Sequence, residues 1–139
     1  MTEICLKGST LTQAGQKIRV QAVVEGCASI WFELDKQFQS MIDTESVDAF
    51  FILYTWLAME RSLDLRVEGK VSRQLANAVT QDIKKMFLAL CPRLHEIDIE
   101  VLNPESFWPE SAEASATGFS GGVDSWYTAL HAGDNGTPY

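Results

Sequence analysis

The sequence is short of the residues that ligate metals and carry redox chemistry. It has three cysteines and two histidines in 139 residues. Cys5, Cys27 and Cys91 stand far apart, with no C-x-x-C spacing. They read as free thiols in a reducing compartment, with neither a zinc site nor a redox pair indicated. His95 and His131 have no second ligand at metal spacing, so no metal-binding residue is assigned from them. No run of about twenty apolar residues occurs, so no membrane span is expected. The N-terminal residues lack the charged-then-apolar order of a secretory signal, which points to the cytoplasm. Cations are the scarcer charge: 11 Lys and Arg face 19 Asp and Glu, a net charge of −8. Nucleic acid is disfavoured as a partner, because phosphate contacts need Lys and Arg. Any phosphate ligand here would need Mg²⁺ and backbone dipoles to supply positive charge. There is no internal repeat and no low-complexity tract.

What is present suffices for a core, with hydrophobic residues at 46%. Residues 1–16 read as a polar, irregular lead-in. Residues 17–24 alternate, with Ile18, Val20, Ala22 and Val24 on one face, and residues 28–34 alternate again. With a turn at Glu25-Gly26-Cys27, the pair reads as a β-hairpin. Asp43-Thr44 offers an N-cap for a helix reaching Arg61. Its stripe of Val47, Phe50, Phe51, Tyr54, Leu57 and Ala58 reads as core. Residues 63–67 form a short strand ended by Glu68-Gly69-Lys70. Ser72 can cap a helix over 72–90, stopped by Pro92. Residues 97–102 make another strand, completing a βαβ unit with parallel strands. Residues 103–115, with Pro104 and Pro109, are the best boundary. Phe107 and Trp108 within them could stack on a base, but read more readily as a plug for one edge of the core. The division expected is an N-terminal α+β region over 1–110 and a second region over 111–139.

The second region carries the most informative stretch, Gly118-Phe119-Ser120-Gly121-Gly122-Val123-Asp124-Ser125. A possible strand precedes it and a possible helix, 124–131, follows. Strand, Gly-rich turn and helix N-terminus together bind phosphates, since first-turn N–H groups lack intrahelical acceptors and the helix dipole adds positive charge. Ser120-Gly121-Gly122-Val123-Asp124-Ser125 resembles the S-G-G-x-D-S signature of the N-type PP-loop ATP pyrophosphatases. The resemblance covers about eight residues and matches at all six motif positions. It implies ATP and Mg²⁺ as cofactors and cleavage between the α- and β-phosphates. A carboxylate or carbonyl oxygen of an unidentified small-molecule acceptor would be adenylated, and a nitrogen or sulfur nucleophile would then displace AMP. By the same resemblance Ser120, Gly121, Gly122, Val123, Asp124 and Ser125 line the pyrophosphate site. Asp124 is the catalytic candidate: it would cap the helix, shape the loop or help hold Mg²⁺.

Rival readings exist. A Gly-rich turn can be without a ligand. Gly118-Phe119-Ser120-Gly121-Gly122 also fits the G-x-S-x-G nucleophile elbow, with Ser120 as nucleophile. Only Asp124, Asp134 and His131 follow it, too close in sequence to fold back as a triad. The glycines do not space as G-x-G-x-x-G, and no Lys-Ser/Thr pair follows them, which excludes dinucleotide and Walker A loops. The fold class expected is α/β: a β-hairpin plus βαβ region leading into the first strand, loop and helix of a Rossmann-like PP-loop domain. Relatives of this kind carry further βα units after the motif. The chain therefore reads as part of a longer enzyme or as one needing a partner chain, weak or inactive alone. The alternative is a non-enzymatic interaction module with a vestigial loop.

Overall fold

The structure, a computed structural model, describes residues 3–106 together with Gly122, Val123, Trp126 and Tyr127. The chain divides into two compact units, Met1–Phe107 and Trp108–Tyr139. The first unit is mixed α/β. Its five strands are β1 (Glu3–Ala14), β2 (Lys17–Glu25), β3 (Trp31–Asp35), β4 (Asp64–Ser72) and β5 (Ile99–Glu105). They form one sheet in the order β3-β2-β1-β4-β5. The β3-β2-β1 side is antiparallel, and the β1-β4-β5 side is parallel. The expected hairpin and the expected parallel βαβ pairing are both present.

One sheet face is apolar and covered. Helix α1 (Asp48–Arg61) packs on β1 and β4. Ile4, Leu6, Leu65, Val67 and Val71 from the strands meet Phe50, Phe51, Tyr54, Ala58 and Met59 from α1 in one buried cluster. Burying an aromatic or branched side chain of this size contributes roughly 1.5–3 kcal/mol. The second helical stretch covers β4 and β5. It is α2 (Arg73–Ala78), a wide π turn (Val79–Ile83) and α3 (Lys84–Leu90), so the expected 72–90 helix is interrupted by a bulge. Ala76 and Val79 join the same core. Trp56 of α1 meets Phe87 of α3 edge-on, with ring centroids 5.0 Å apart.

Several expectations are corrected. Residues 3–14 are a strand, where an irregular lead-in was expected. Their alternation breaks at a bulge between Leu6 and Gly8. Even-numbered residues face the core before it and odd-numbered ones after it. Strand β3 starts at Trp31, later than expected. Helix α1 starts at Asp48 instead of beside Asp43-Thr44. The Asp43 carboxylate accepts from the Glu45 N–H at 2.8 Å, which caps a turn and no helix. The helix start is tied to β4 instead: Val47 N–H donates to Lys70 O at 2.9 Å, and Ser72 N–H donates to Asp48 Oδ1 at 2.8 Å. Ser72 occupies the N-cap of α2 but makes no side-chain cap bond.

Glu68-Gly69-Lys70 does not end β4, which runs through it to Ser72. Gly69 faces inward, and a Cβ there would lie 2.7 Å from Val47 Cγ1. The glycine permits close approach of the segment entering α1, which is a packing role and not a turn. Asn103, Pro104 and Glu105, assigned to a loop, belong to β5. Phe107 and Trp108 lie outside the described residues.

Tyr54 does more than fill space. Its hydroxyl accepts from Ile30 N–H at 2.8 Å and donates to Ala28 O at 3.1 Å. One buried side chain thereby satisfies two backbone groups of the segment between β2 and β3. The Tyr54→Phe variant should lose about 1–3 kcal/mol, because those two groups lose their partner in a part-buried site, measurable as a lower urea midpoint. Burial also pushes the Tyr54 hydroxyl above its ordinary value of 10.0. The unfolded chain therefore ionises first as pH rises, and the Tyr54 contribution is full below pH 10 and declines above it. The gap between wild type and Tyr54→Phe should narrow in unfolding curves taken above that pH. Ser62, just past α1, adopts the left-handed region with φ 55°. Glycine is favoured there. Ser62→Gly should raise stability by about 0.5–1 kcal/mol, seen as a higher thermal midpoint.

Candidate functional site

Of the six motif residues, Gly122 and Val123 lie among those described. Ser120, Gly121, Asp124 and Ser125 lie outside them, as do His131 and Asp134 of the hydrolase alternative. Val123, Trp126 and Tyr127 are helical. Trp126 N–H donates to Gly122 O at 3.1 Å, a bond of α-helical spacing. Gly122 thus supplies the carbonyl that accepts the first helical bond, the role of an N-cap residue. The helix begins one residue earlier than expected, at Val123 instead of Asp124. The N–H groups of a helix's first turn have no intrahelical acceptor. Glycine at this position leaves the approach to them clear of a Cβ.

Val123 is the variable motif position, expected to be apolar, and its side chain is 85% exposed. Trp126 and Tyr127 are also exposed. The sequence names these aromatics as part of a helix but carries no signal that they stay at the surface.

The sheet face opposite the helices in the Met1–Phe107 unit is polar. Lys7 pairs with Glu25, and Arg19 pairs with Glu33 at 2.7 Å. Arg66 lies 3.3 Å from Glu68 and 3.6 Å from Glu100. Its Nε is buried and makes no hydrogen bond despite that proximity, so its contact with Glu68 is one of charge alone. Exposed pairs of this sort contribute little each, about 0–1 kcal/mol. They do consume the cations. Near Arg66, a depression of about 400 Å³ is walled by Glu3, Asp64, Asp98 and Glu100. That is an unsuitable wall for a phosphate. Among the described residues no three His, Cys, Asp or Glu side chains converge to hold a metal ion. His95 donates its backbone N–H to Met59 O at 2.9 Å.

Comparison with protein-family models, curated proteins and solved structures found no match to this chain. The site therefore stands on its own residues.

The three cysteines are free: Cys5 is buried, and Cys27 and Cys91 are half-buried. Burial, and then the nearby Glu68, raise the Cys5 thiol above its ordinary value. In a thiol titration of the native protein Cys5 should be the last of the three to react. Mass mapping of the labelled peptides checks this.

Proposed function

We propose that this chain binds ATP through a PP-loop at 120–125 and serves cleavage of ATP to AMP and pyrophosphate. The observation that carries the reading is the bond from Trp126 N–H to Gly122 O. It starts a helix at the second glycine of Ser120-Gly121-Gly122-Val123-Asp124-Ser125, where first-turn amides can face an anion. In this reading the amides at 121–125 and the hydroxyls of Ser120 and Ser125 hold the β- and γ-phosphates as they leave. An acceptor oxygen attacks the α-phosphorus, and the bond to the bridging oxygen breaks. Pyrophosphate departs with that electron pair. The resulting acyl or imidoyl adenylate is open to a nitrogen or sulfur nucleophile, with AMP as leaving group.

The loop's part is positioning and charge stabilisation. Its donor set suits Mg²⁺-bound phosphate: hard oxygens from two serines and one carboxylate, with backbone N–H groups between them. Asp124 is the residue that would hold Mg²⁺, which would offset the negative charge of the phosphates. A cation is needed, because the chain carries −8 and the motif itself contains no Lys or Arg. The acceptor is a small molecule with a carboxylate or carbonyl oxygen, and the acidic balance disfavours RNA.

Calorimetry with Mg·ATP and with pyrophosphate on the 139-residue chain tests the reading. Micromolar binding is expected, weakened at least tenfold (about 1.4 kcal/mol) by Ser120→Ala combined with Asp124→Ala. Binding that survives in the double variant, or none with either ligand by this chain and by a longer one, would remove the phosphate loop as the site.

A further inference from the structure

The edge strand β3 is unusual in what it exposes. Trp31, Phe32 and Leu34 are each about two-fifths or more exposed, and Phe38 and Met41 follow closely in sequence. Beneath Phe32 and Leu34 an apolar groove of about 310 Å³ is floored by Val20, Ile42 and Phe50. Proteins blunt such edges with charge. Here the charge on the strand is compromised: Glu33 is held by Arg19 at 2.7 Å, and the same guanidinium stacks on Trp31 at 4.1 Å from the ring centroid.

Among the described residues the ladder fixes which backbone groups stay open. Ala22 N–H donates to Ile30 O, and Lys36 N–H donates to Gln16 O. Even-numbered residues thus turn their backbone towards β2. By the alternation of an antiparallel pair, Trp31, Glu33 and Asp35 turn theirs to the open edge. We propose that this edge pairs with β3 of a second copy of the chain, antiparallel, with Phe32 on the two-fold axis. The side-chain order is self-complementary in that register. Phe32 faces Phe32 of the other copy, Ile30 faces Leu34, and Trp31 faces Glu33. The apolar residues meet on the groove side, so the two grooves adjoin. On the other side an aromatic ring meets a carboxylate already neutralised by Arg19. Trp31 and Glu33 become mutual hydrogen-bonded pairs, and the Phe32 pair is the closer, non-hydrogen-bonded kind. The register shifted to Glu33 would set Glu33 against Glu33, which like charges disfavour. Two-fold pairing uses one patch twice and closes. It does not depend on the nucleotide reading.

The test uses the full chain in sedimentation equilibrium. A dimer with a dissociation constant on the order of 10–100 µM is expected, as suits a small interface. Glu33→Pro removes an N–H that the register turns away from β2 and should give a monomer with unchanged circular dichroism. Single cysteines at 32 and 33 decide the register. Under oxidation Phe32→Cys should form a 32–32 disulfide between copies, resolved from the native thiols by peptide mapping, and Glu33→Cys should not. A monomer at all concentrations overturns the proposal, as does a dimer untouched by Glu33→Pro or cross-linked only through position 33. A monomer whose Trp31, Glu33 and Asp35 amides resist hydrogen exchange would place something other than a second copy on the edge, and also overturns it. If Glu33→Pro fails to fold, the cross-links decide alone.

Discussion

Everything in the Met1–Phe107 unit depends on α1 being buried against the middle of the sheet. β1 and β4 are its floor, and they are the two strands whose parallel pairing joins the antiparallel side to the βαβ side. Phe50, Phe51 and Tyr54 sit there at essentially no exposure. Without that helix the strand pair would present Ile4, Leu6, Leu65 and Val67 to water. A sheet of this size needs one face covered to be stable. The helix is anchored at its start and at its middle by polar bonds as well. Asp48 reaches the end of β4, and Tyr54 reaches back to the segment before β3.

This dependence explains which features were legible in the residues and which were not. Strand β2 alternates cleanly because it is paired on both sides, with Ile18, Val20 and Ala22 inward throughout. Strand β1 has the same neighbour along its length yet did not read as a strand. Its bulge after Leu6 moves the inward set from Ile4 and Leu6 to Leu11, so no single period of two spans it. Ser9, Thr10, Thr12 and Gln13 add little apolar signal. Glu68-Gly69-Lys70 resembles a turn in composition. The nearness of Val47 and the ladder irregularity between Val67 and Lys70 explain a glycine inside a strand, and both are long-range. The onset of α1 was misplaced because Asp43 can cap a turn as readily as a helix. What decided the matter was the hold of Lys70 and Ser72 on the helix's first residues.

The proposed phosphate loop is legible for a different reason. Its signal lies in residue identity at fixed spacing, which needs no knowledge of the distant chain. Ser120, the two glycines, Asp124 and Ser125 can be named without any packing argument. The acceptor and the nucleophile cannot, since a loop that holds phosphate oxygens meets the same pyrophosphate whatever is being adenylated. Other surface chemistry in the first unit is mostly charge cancelled by neighbours. The acidic balance of the composition is therefore felt as paired carboxylates around Arg19, Arg66 and Lys70 more than as an open field.

The parallel pairing of Glu3 with Asp64 and of Leu6 with Val67 also has a consequence during synthesis. A ribosome delivers β1 early, and its hairpin with β2 can close at once because the two are adjacent in the chain. The other edge of β1 must wait until β3, α1 and β4 have been made. For that interval Ile4 and Leu6 sit on an unfinished sheet with no helix over them. The nascent chain is then at its stickiest well before its last residue is added. A chaperone that covers short apolar strands would have its chief occasion to act in that window, before the arrival of α1 and β4 closes it.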